Sequence, residues 1–397
     1  MNLESNFCGL KLENPYILAS APPTASIEMI DRAFEAGWAG VVTKTIKPDY
    51  MEIKDASPRF HALKEGNRVI GFENFELVSK MDLAYWEKGI KELRDKWPTK
   101  AIIVSIMGDC NEESWADLAK WAQKAGAQAL ELNFSCPHGM PEKGVGAAIG
   151  QNAPITEKIT RWVCDAVEIP VIVKLTPNVT SVVTIAEAAI RGGADALAAI
   201  NTVESLTGVD LKTLTPYPMV QGQSTLGGFS GPAVKPIGLR VISQLARETD
   251  LPLSAMGGIS TWADAMEYIA LGGNHVQVCT EVMVSGFGII KKMLKGTEDY
   301  MNEMGFKSFD DFRGVASAKL TAHHSLQKTE TVIPELNNDL CTKCGKCVTA
   351  CRDGGYQAIS FIDKMINISE DQCDGCALCT LVCPEKALTM PLKEKSA

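Results

Sequence analysis

The chain has 397 residues, of which 46% are hydrophobic and 22% are charged, a balance typical of a folded protein with a large core. Its formal net charge is −9 at pH 7 and it contains no basic stripe or tail, so we expect no nucleic-acid partner. No run reaches the roughly 18 uninterrupted apolar residues of a membrane span, and residues 1–12 contain no apolar core of a signal peptide. We therefore expect no membrane association and a cytoplasmic location.

Short apolar runs alternate with longer helical segments between residues 16 and 295. Such continuous apolar runs are typical of parallel strands that are buried on both faces. The predicted strands are Tyr16–Ser20, Gly40–Lys44, Ala101–Met107, Ala129–Asn133, Val171–Leu175, Ala196–Ile200, Leu253–Met256 and His275–Cys279. The clearest helices between them are Ser26–Ala36, Glu112–Ala125, Pro154–Val167, Ser181–Arg191 and Thr261–Leu271. These strand–helix units predict an α/β fold, a (β/α)8 TIM barrel, with an open doubly wound sheet as the alternative.

Two connections in this region are long, Thr45–Gly71 and Asn201–Pro232, and each follows the carboxyl end of a predicted strand. Because that end of a barrel is the catalytic end, we predict that both connections form lids or binding loops. We also expect the glycine-rich residues 227–231 to be mobile, and we expect Ser308–Ser317 to form a closing helical segment.

The fourth predicted strand runs into Asn133-Phe134-Ser135-Cys136-Pro137-His138-Gly139-Met140. A free thiol on a loop above a barrel mouth can donate or accept a proton, so Cys136 is a candidate acid or base. The alternative is a small buried apolar residue, the usual fate of a free cysteine. His138 could tune Cys136 or only bond its own loop, and both interpretations stay open.

Lys44 and Lys174 end the second and fifth predicted strands. A lysine is costly to bury unless it meets an anion or a ring acceptor, so both could stabilise the electron-rich end of a flavin. The alternative is that both are solvated at the strand ends.

Gly257-Gly258 ends the seventh strand and Cys279-Thr280 ends the eighth, where barrels commonly bind phosphate through backbone N–H groups. Together with the glycines at 227–231, they predict a phosphate-bearing cofactor. No G-x-G-x-x-G motif follows a strand, so the sequence predicts no nicotinamide dinucleotide site.

Amide and hydroxyl side chains also lie at strand ends or in the long connections: Asn74, Asn133, Asn201 and Thr202. Amides present a donor and an acceptor side by side, which suits a neutral ring with alternating N–H and C=O groups. The alternative is that these asparagines only cap turns.

Eight of the 13 cysteines form two copies of one motif near the end of the sequence. The copies read Cys341-x-x-Cys344-x-x-Cys347-x-x-x-Cys351 and Cys373-x-x-Cys376-x-x-Cys379-x-x-x-Cys383-Pro384. This spacing predicts two 4Fe–4S clusters in which the fourth ligand comes from the other copy. That rule assigns Cys341, Cys344, Cys347 and Cys383 to the first cluster, and Cys373, Cys376, Cys379 and Cys351 to the second. Zinc knuckles or disulfides are the alternatives.

The sequence therefore divides into a barrel over residues 1–318, a polar linker over 319–336 and a ferredoxin-like domain over 337–397. The last part contains too few apolar residues to be stable alone, so we expect the clusters to stabilise its fold.

The strand-end motifs resemble the dihydroorotate and dihydropyrimidine dehydrogenase superfamily. They are Val42-Thr43-Lys44-Thr45, Asn133 to Met140, Val173-Lys174-Leu175-Thr176, Asn201-Thr202 and Gly228-Phe229-Ser230-Gly231. The fused cluster module narrows the resemblance to the FMN and iron–sulfur catalytic subunit of bacterial NAD-dependent dihydropyrimidine dehydrogenases. The resemblance covers essentially the whole chain.

The resemblance implies an FMN site, a pyrimidine site and a general acid/base. FMN would contact Ala19, Ser20, Lys44, Thr45, Asn74, Lys174, Asn201, Ser230, Gly231, Gly257, Gly258, Cys279 and Thr280. The pyrimidine would contact Asn74, Asn133, Asn201 and Thr202. Uracil or thymine would be interconverted with its 5,6-dihydro form, with hydride passing from FMN N5 to C6. Cys136, assisted by Ser135, would give the proton to C5.

The implied partner is an NADH-oxidising subunit with FAD and iron–sulfur groups, in a hetero-oligomer that we expect to be a heterotetramer. The alternatives are a dihydroorotate dehydrogenase with a fused electron module and a non-enzymatic electron mediator. Two departures matter. Asn74 is followed by Phe75-Glu76 where dihydroorotate relatives usually have glycines, and a carboxylate there would repel an anionic substrate. Cys351 is followed by Arg352, where an ordinary ferredoxin has proline, which leaves the potential of that cluster open.

Overall fold

A computed structural model of the chain describes residues 2–134, 147–326, 331–363 and 365–391. Its contacts divide the chain into two compact units, Met1–Leu320 and Thr321–Ala397. None of the helices in the described ranges is long and apolar enough to cross a membrane.

The described residues form short strands and longer helices in chain order. The strands are β1 Ser5–Phe7, β2 Leu10–Leu12, β3 Tyr16–Leu18, β4 Gly40–Val42, β5 Phe60–Glu65, β6 Arg68–Asn74, β7 Ala101–Ile106, β8 Ala129–Asn133, β9 Val171–Lys174, β10 Ala196–Ala199, β11 Val203–Ser205, β12 Val209–Asp210, β13 Thr215–Pro216, β14 Gly227–Ser230, β15 Leu253–Met256, β16 His275–Val278, β17 Glu335–Leu336, β18 Ile359–Ile362, β19 Met365–Ile368 and β20 Leu388–Thr389. The helices are α1 Ile27–Ala36, α2 Leu83–Lys96, α3 Glu112–Ala125, α4 Ala147–Gly150, α5 Ala153–Cys164, α6 Val182–Arg191, α7 Lys235–Glu248, α8 Trp262–Ala270, α9 Thr280–Ser285, α10 Ile290–Met304, α11 Lys346–Gly354 and α12 Leu378–Leu381.

The first unit is a closed parallel barrel. Its strands follow one another around the ring in the order β3, β4, β7, β8, β9, β10, β15 and β16, and β16 pairs with β3. All eight predicted strands are confirmed, the TIM barrel is confirmed, and the open doubly wound sheet is wrong. The strands are almost entirely buried because helices cover their outer faces and side chains from the other strands fill the interior.

Capping side chains set where the outer helices begin. The Ser26 hydroxyl accepts a hydrogen bond from the Met29 N–H at 3.3 Å, and the Ser181 hydroxyl accepts one from the Thr184 N–H at 3.3 Å. These two serines begin the helices predicted over Ser26–Ala36 and Ser181–Arg191. The helix predicted over Pro154–Val167 is shorter at its end and stops at Cys164.

The hairpin of β1 and β2 packs against the amino-terminal ends of the barrel strands. Phe7 and Leu12 are buried in a cluster that includes Ile17, Val42 and Ile172. Because this end of the barrel is filled with apolar side chains, a ligand site must lie at the opposite, carboxyl end.

The two long connections are more ordered than the sequence suggested. They contribute β5, β6, β11 and β14 to a four-stranded antiparallel sheet in the order β11-β14-β6-β5. The expectation that residues 227–231 are mobile is wrong, because Gly227–Ser230 is a central strand of this sheet. Its glycines serve close packing: a Cβ on Gly227 would lie 2.5 Å from Cγ of Glu73, and one on Gly228 would lie 2.3 Å from Oγ1 of Thr202.

The closing segment of the first unit is not one helix. Residues 308–317 contain a single 3-10 turn, Phe309–Asp311, and a second such turn begins at Ser317. The Asp311 carboxylate accepts hydrogen bonds from the N–H groups of Lys307 and Ser308, which caps the start of the first turn.

The second unit consists of two similar halves. Strand β17 pairs with β20, strand β18 forms a hairpin with β19, and α11 and α12 follow the two cysteine loops. The linker over residues 319–336 stays a prediction, because residues 327–330 lie outside the described ranges.

Candidate active site

A cavity opens at the carboxyl ends of the barrel strands. It brings together every sequence-predicted cofactor and substrate residue that the structure describes. These residues are Ala19, Ser20, Lys44, Thr45, Asn74, Asn133, Lys174, Asn201, Thr202, Ser230, Gly231, Gly257, Gly258, Cys279 and Thr280. Their individual contacts with FMN or pyrimidine stay predictions. Ser135, Cys136 and His138 lie outside the described residues.

Hydroxyl and amide side chains line one wall of the cavity in a continuous chain. The Asn133 amide donates to Oγ1 of Thr45 at 2.9 Å, and the Asn201 amide donates to Oδ1 of Asn133 at 3.4 Å. Oγ1 of Thr45 also lies 3.1 Å from Oγ of Ser20 and 3.0 Å from Oγ of Ser105. These bonds orient both amides. Oδ1 of Asn201 also accepts the Thr202 N–H at 2.8 Å, and Oδ1 of Asn74 accepts the Glu76 N–H at 3.1 Å, so the interpretation of these asparagines as turn caps stays open beside substrate binding.

Another part of the cavity lining is a cradle of backbone without side chains. Gly231, Gly257 and Gly258 have positive φ angles of 106°, 122° and 73°. A Cβ on Gly258 would lie 2.7 Å from the backbone nitrogen of Lys235, and one on Gly231 would lie 2.8 Å from Cα of Gly71. Only glycine fits there, and it leaves backbone N–H groups open to a close ligand. The cradle therefore fits a phosphate-bearing group.

Glu76 joins the barrel to the four-stranded sheet. Its carboxylate accepts a hydrogen bond from Nζ of Lys44 at 2.6 Å and also pairs with Nε of Arg59. Arg59 is held in place because its carbonyl oxygen accepts the Phe75 N–H at 2.9 Å. The bond to Glu76 raises the pKa of the Arg59 guanidinium. Glu76 therefore disfavours an anionic substrate in two ways, since it is itself negative and it also occupies two neighbouring cations.

A buried carboxylate, Glu131, contacts two residues that line the cavity. Glu131, in β8, accepts a hydrogen bond from Nζ of Lys174 at 3.2 Å and another from the Gln277 amide at 2.8 Å. Lys174 and Gln277 both line the cavity, and Glu131 is fully buried. Both lysines of the cavity wall are thus paired with carboxylates, and the predicted alternative of solvated strand-end lysines is wrong.

Cys279 lies at the end of β16 beside the glycine cradle. Burial raises the pKa of its thiol to about 11. The thiol is therefore neutral near pH 7, and Cys279 contributes packing and a weak donor but no thiolate.

The second unit contains two small cavities. Each is lined by three cysteines of one motif copy and the fourth cysteine of the other. Cys341, Cys344, Cys347 and Cys383 line the first, and Cys373, Cys376, Cys379 and Cys351 line the second. This is the arrangement that cross-ligation requires, and in the first cavity the Ala387 N–H also donates to Sγ of Cys383 at 3.2 Å.

The cysteines surround these cavities without converging on a point. Within the described ranges, no three His, Cys, Asp or Glu side chains lie close enough to bind one metal ion. A zinc knuckle needs such convergence, whereas a cluster of four irons needs ligands spread around a larger volume. The four-thiol donor sets and their spread around each cavity therefore fit an iron–sulfur cluster better than zinc.

Sequence reasoning missed three residues of the site: Arg59, Glu131 and Gln277. A signal for two of them was present, because Glu131 and Gln277 are single polar residues inside strands that are otherwise apolar and predicted to be buried on both faces. Such residues are expensive unless paired, and the structure pairs them with each other. Arg59 gave no signal, since its partner is set by the pairing of β5 with β6.

Residues 2–301 match the family model described as dihydroorotate dehydrogenase, and residues 335–390 match a 4Fe-4S dicluster domain. The chain is 40% identical to the NAD-dependent dihydropyrimidine dehydrogenase subunit PreA of Escherichia coli K12 over 367 residues, which are 91% of this chain and 88% of that protein. It is 38% identical to the chloroplastic dihydropyrimidine dehydrogenase (NADP(+)) of Arabidopsis thaliana, covering 81% of this chain and 78% of that protein. The catalytic subunit of dihydroorotate dehydrogenase B (NAD(+)) from Pyrococcus horikoshii is 37% identical, covering 79% of this chain and 97% of that protein.

Proposed function

The chain belongs to the dihydroorotate dehydrogenase family, and from this premise we propose that it is the catalytic subunit of an NAD-dependent dihydropyrimidine dehydrogenase. It is an oxidoreductase, and the proposed reaction interconverts uracil or thymine with the 5,6-dihydro form. The observation that carries this choice of substrate is the pairing of the lysines that line the cavity with Glu76 and Glu131. A site built in this way suits a neutral ring, because the lysines that could attract a substrate carboxylate are already paired with Glu76 and Glu131.

The hydrogen-bond donors that line the cavity suit the phosphate and the ring system of FMN. The cradle of Gly231, Gly257 and Gly258 would hold the phosphate, and Lys44 and Lys174 would donate to the ring system. Bound FMN supplies a flavin that exchanges a hydride with the substrate and takes up electrons one at a time.

The amides of the cavity wall would position the pyrimidine. Asn133 and Asn201 are linked to each other, and the Asn74 amide donates to the Gly228 carbonyl oxygen at 2.8 Å. Because these bonds fix each side chain before substrate arrives, the ring would meet donors and acceptors already oriented for it.

Cys136 is the proposed acid at C5 in the reducing direction and the base in the reverse direction, with Ser135 assisting it. This assignment rests on the sequence motif alone. A positioned acid or base contributes about 10²–10⁴-fold to such a reaction.

The two cysteine-lined cavities support two 4Fe–4S clusters with crossed ligation. When bound, such clusters carry single electrons to or from the flavin site. NADH oxidation then requires a second protein, and PreA is itself named as a subunit. We propose a partner subunit with FAD and iron–sulfur groups, in a hetero-oligomer.

Dihydroorotate dehydrogenase is the second candidate, favoured by the 37% identity to the Pyrococcus horikoshii subunit. That match uses 97% of the archaeal chain but only 79% of this one, whereas the match to PreA covers 91% of this chain. Glu76 provides the further argument against an acidic substrate.

The deciding experiment is substrate reduction by the anaerobically reconstituted chain with a reduced viologen dye as electron donor. Uracil or thymine should be consumed and the 5,6-dihydro product formed, while orotate should be consumed at least tenfold more slowly. Equal or faster consumption of orotate would instead assign the chain to dihydroorotate oxidation. No turnover of any of the three, by protein that contains flavin and iron, would refute both enzymatic functions.

A further inference from the structure

Gln277 is a buried amide on the cavity wall with half of its hydrogen-bonding capacity unused. Its side chain is 2% exposed. Its Nε2 group donates to Oε2 of Glu131 at 2.8 Å and to Oγ of Ser254 at 2.8 Å. Its Oε1 atom is buried and has no hydrogen-bond partner among the described residues. A buried acceptor without a partner is costly, so a donor is expected from whatever fills the cavity.

The orientation of this amide is fixed by chemistry. A carboxylate only accepts hydrogen bonds, so the atom that faces Glu131 must be the nitrogen and the free atom must be the oxygen. Glu131 is fully buried in β8, and the same carboxylate accepts the ammonium of Lys174 at 3.2 Å. One buried anion therefore holds a donor, Lys174, and an acceptor, Gln277, at the same wall of the cavity.

We propose that Gln277 is a further cofactor-binding residue, whose amide oxygen accepts a hydrogen bond from N3–H of the FMN ring, and that Glu131 is the residue that positions it. The inference rests on the proposed function, because it takes FMN as the ligand of the cavity.

The pyrimidine edge of an oxidised flavin matches this pair of side chains. The edge presents a carbonyl oxygen at C2 next to N3–H, the one ring N–H of the oxidised state. Lys174 can donate to the carbonyl while Gln277 accepts from N3–H. A phosphate or a sugar hydroxyl would use the lysine alone or the amide alone, whereas this edge uses both side by side.

The test compares FMN with 3-methyl-FMN, in which the N3 hydrogen is replaced by a methyl group. The dissociation constants of apoprotein with each flavin are measured by quenching of flavin fluorescence. Wild-type protein should bind 3-methyl-FMN at least tenfold more weakly than FMN, as expected for the loss of one buried hydrogen bond. In Gln277→Ala, which removes the acceptor and leaves room for the methyl group, the two flavins should bind within about twofold of each other.

Gln128→Met is the matched control. Gln128 is another barrel glutamine, whose Oε1 accepts the Ile102 N–H at 2.8 Å, and it does not line the cavity. Its substitution should leave the ratio of the two dissociation constants at the wild-type value. Equal binding of both flavins by wild-type protein, or full discrimination retained by Gln277→Ala, would overturn the assignment.

Glu131 requires a measurement that a purely structural role would not affect. With FMN labelled with ¹⁵N at N3, the nitrogen resonance of bound flavin should shift in the same direction in Glu131→Gln and Gln277→Ala. The preference for FMN over 3-methyl-FMN should fall in both variants. An unchanged N3 resonance in Glu131→Gln would leave that residue with a structural role only.

The proposed function and the assignment of Gln277 can be refuted independently of each other. If the wild-type chain binds no flavin, the proposed function is wrong. If it binds FMN and reduces uracil but Gln277→Ala discriminates between the flavins as wild type does, only the assignment of Gln277 is wrong.

Discussion

His275 gives the chain a defined loss of stability in acid. The side chain is fully buried at the start of β16, where Nε2 lies 2.8 Å from Oγ of Ser254 and the ring meets Phe7 edge-on. Burial, with a smaller contribution from the Arg313 cation, lowers the pKa of His275 to about 3. The folded protein therefore keeps this imidazole neutral at pH values where an unfolded chain protonates it.

The size of the change in the free energy of unfolding follows from the linkage between proton binding and unfolding. The unfolded imidazole has a pKa of about 6.5, so between about pH 6.5 and pH 3 unfolding takes up one proton at this site. Stability therefore falls as the pH falls, by about 1.4 kcal/mol per pH unit, and by about 2 kcal/mol between pH 6.5 and pH 5. The contribution is constant above about pH 7, where the imidazole is neutral in both states.

The comparison is between wild type and His275→Gln, which keeps a polar side chain beside Ser254 but does not titrate. Urea unfolding at several pH values between 5 and 7.5 can be followed by tryptophan fluorescence. All seven tryptophans lie in residues 38–262, so this signal reports the barrel unit alone. The wild-type free energy of unfolding should fall about 2 kcal/mol more than that of the variant between pH 6.5 and pH 5.

Parallel pH dependences for wild type and His275→Gln would refute the reasoning, whatever the stability of the variant at pH 7. They would mean that the imidazole is protonated, or hydrated, inside the folded barrel.

Three further predictions address the site directly. Cys136→Ala should lower dye-linked uracil turnover by about 10²–10⁴-fold while bound FMN, measured by absorbance, stays at the wild-type level; unchanged turnover would remove its role as acid. Glu76→Gln frees Lys44 and should tighten orotate binding at least tenfold, measured by titration of the flavin spectrum. Glu65→Gln, at an exposed position of the same sheet, should leave orotate binding unchanged. Equal gains in orotate affinity in both variants would point to a general charge effect. Cys351→Ser should lower bound iron from about eight to about four atoms per chain, because it removes a ligand from one cluster only, and loss of both EPR signals would contradict separate sites.

The barrel was predictable because its strands are continuous apolar runs of the right length. Val171–Lys174 and Ala196–Ala199 are buried at every position, as expected for short apolar runs in a strand that is covered on both faces. Local capping chemistry likewise fixed the starts of α1 and α6. The positions of Lys44, Lys174 and the strand-end glycines followed from topology, because the carboxyl ends of parallel strands in one barrel meet at the same rim.

The four-stranded sheet over the cavity was not predictable in the same way. Strands β6 and β14 are separated by more than 150 residues along the chain, and nothing local selects their pairing of Asn74 with Gly228. Glycine in a strand normally weakens it, so residues 227–231 favoured a mobile loop. What decides the conformation is the side chain opposite each glycine, Glu73 or Thr202, which occupies the space that a Cβ would need.

The interior of the barrel explains why the site tolerates buried charge. Glu131, Gln277 and Ser254 are joined by hydrogen bonds of 2.8 Å, and Lys174 and His275 lie at the two ends of this chain. An apolar layer of similar volume would stabilise the fold at least as well, because buried ion pairs rarely exceed the penalty of removing them from water. The polar layer instead holds Lys174 and Gln277 in fixed orientations at the cavity wall. Oε1 of Gln277 and Nδ1 of His275 have no hydrogen-bond partner among the residues that the structure describes. His275 faces the apolar end of the barrel and Gln277 faces the cavity, so a ligand in the cavity can satisfy Oε1 of Gln277 but not Nδ1 of His275. The same hydrogen-bond network therefore contains a ligand-binding residue at one end and an acid-sensitive residue at the other.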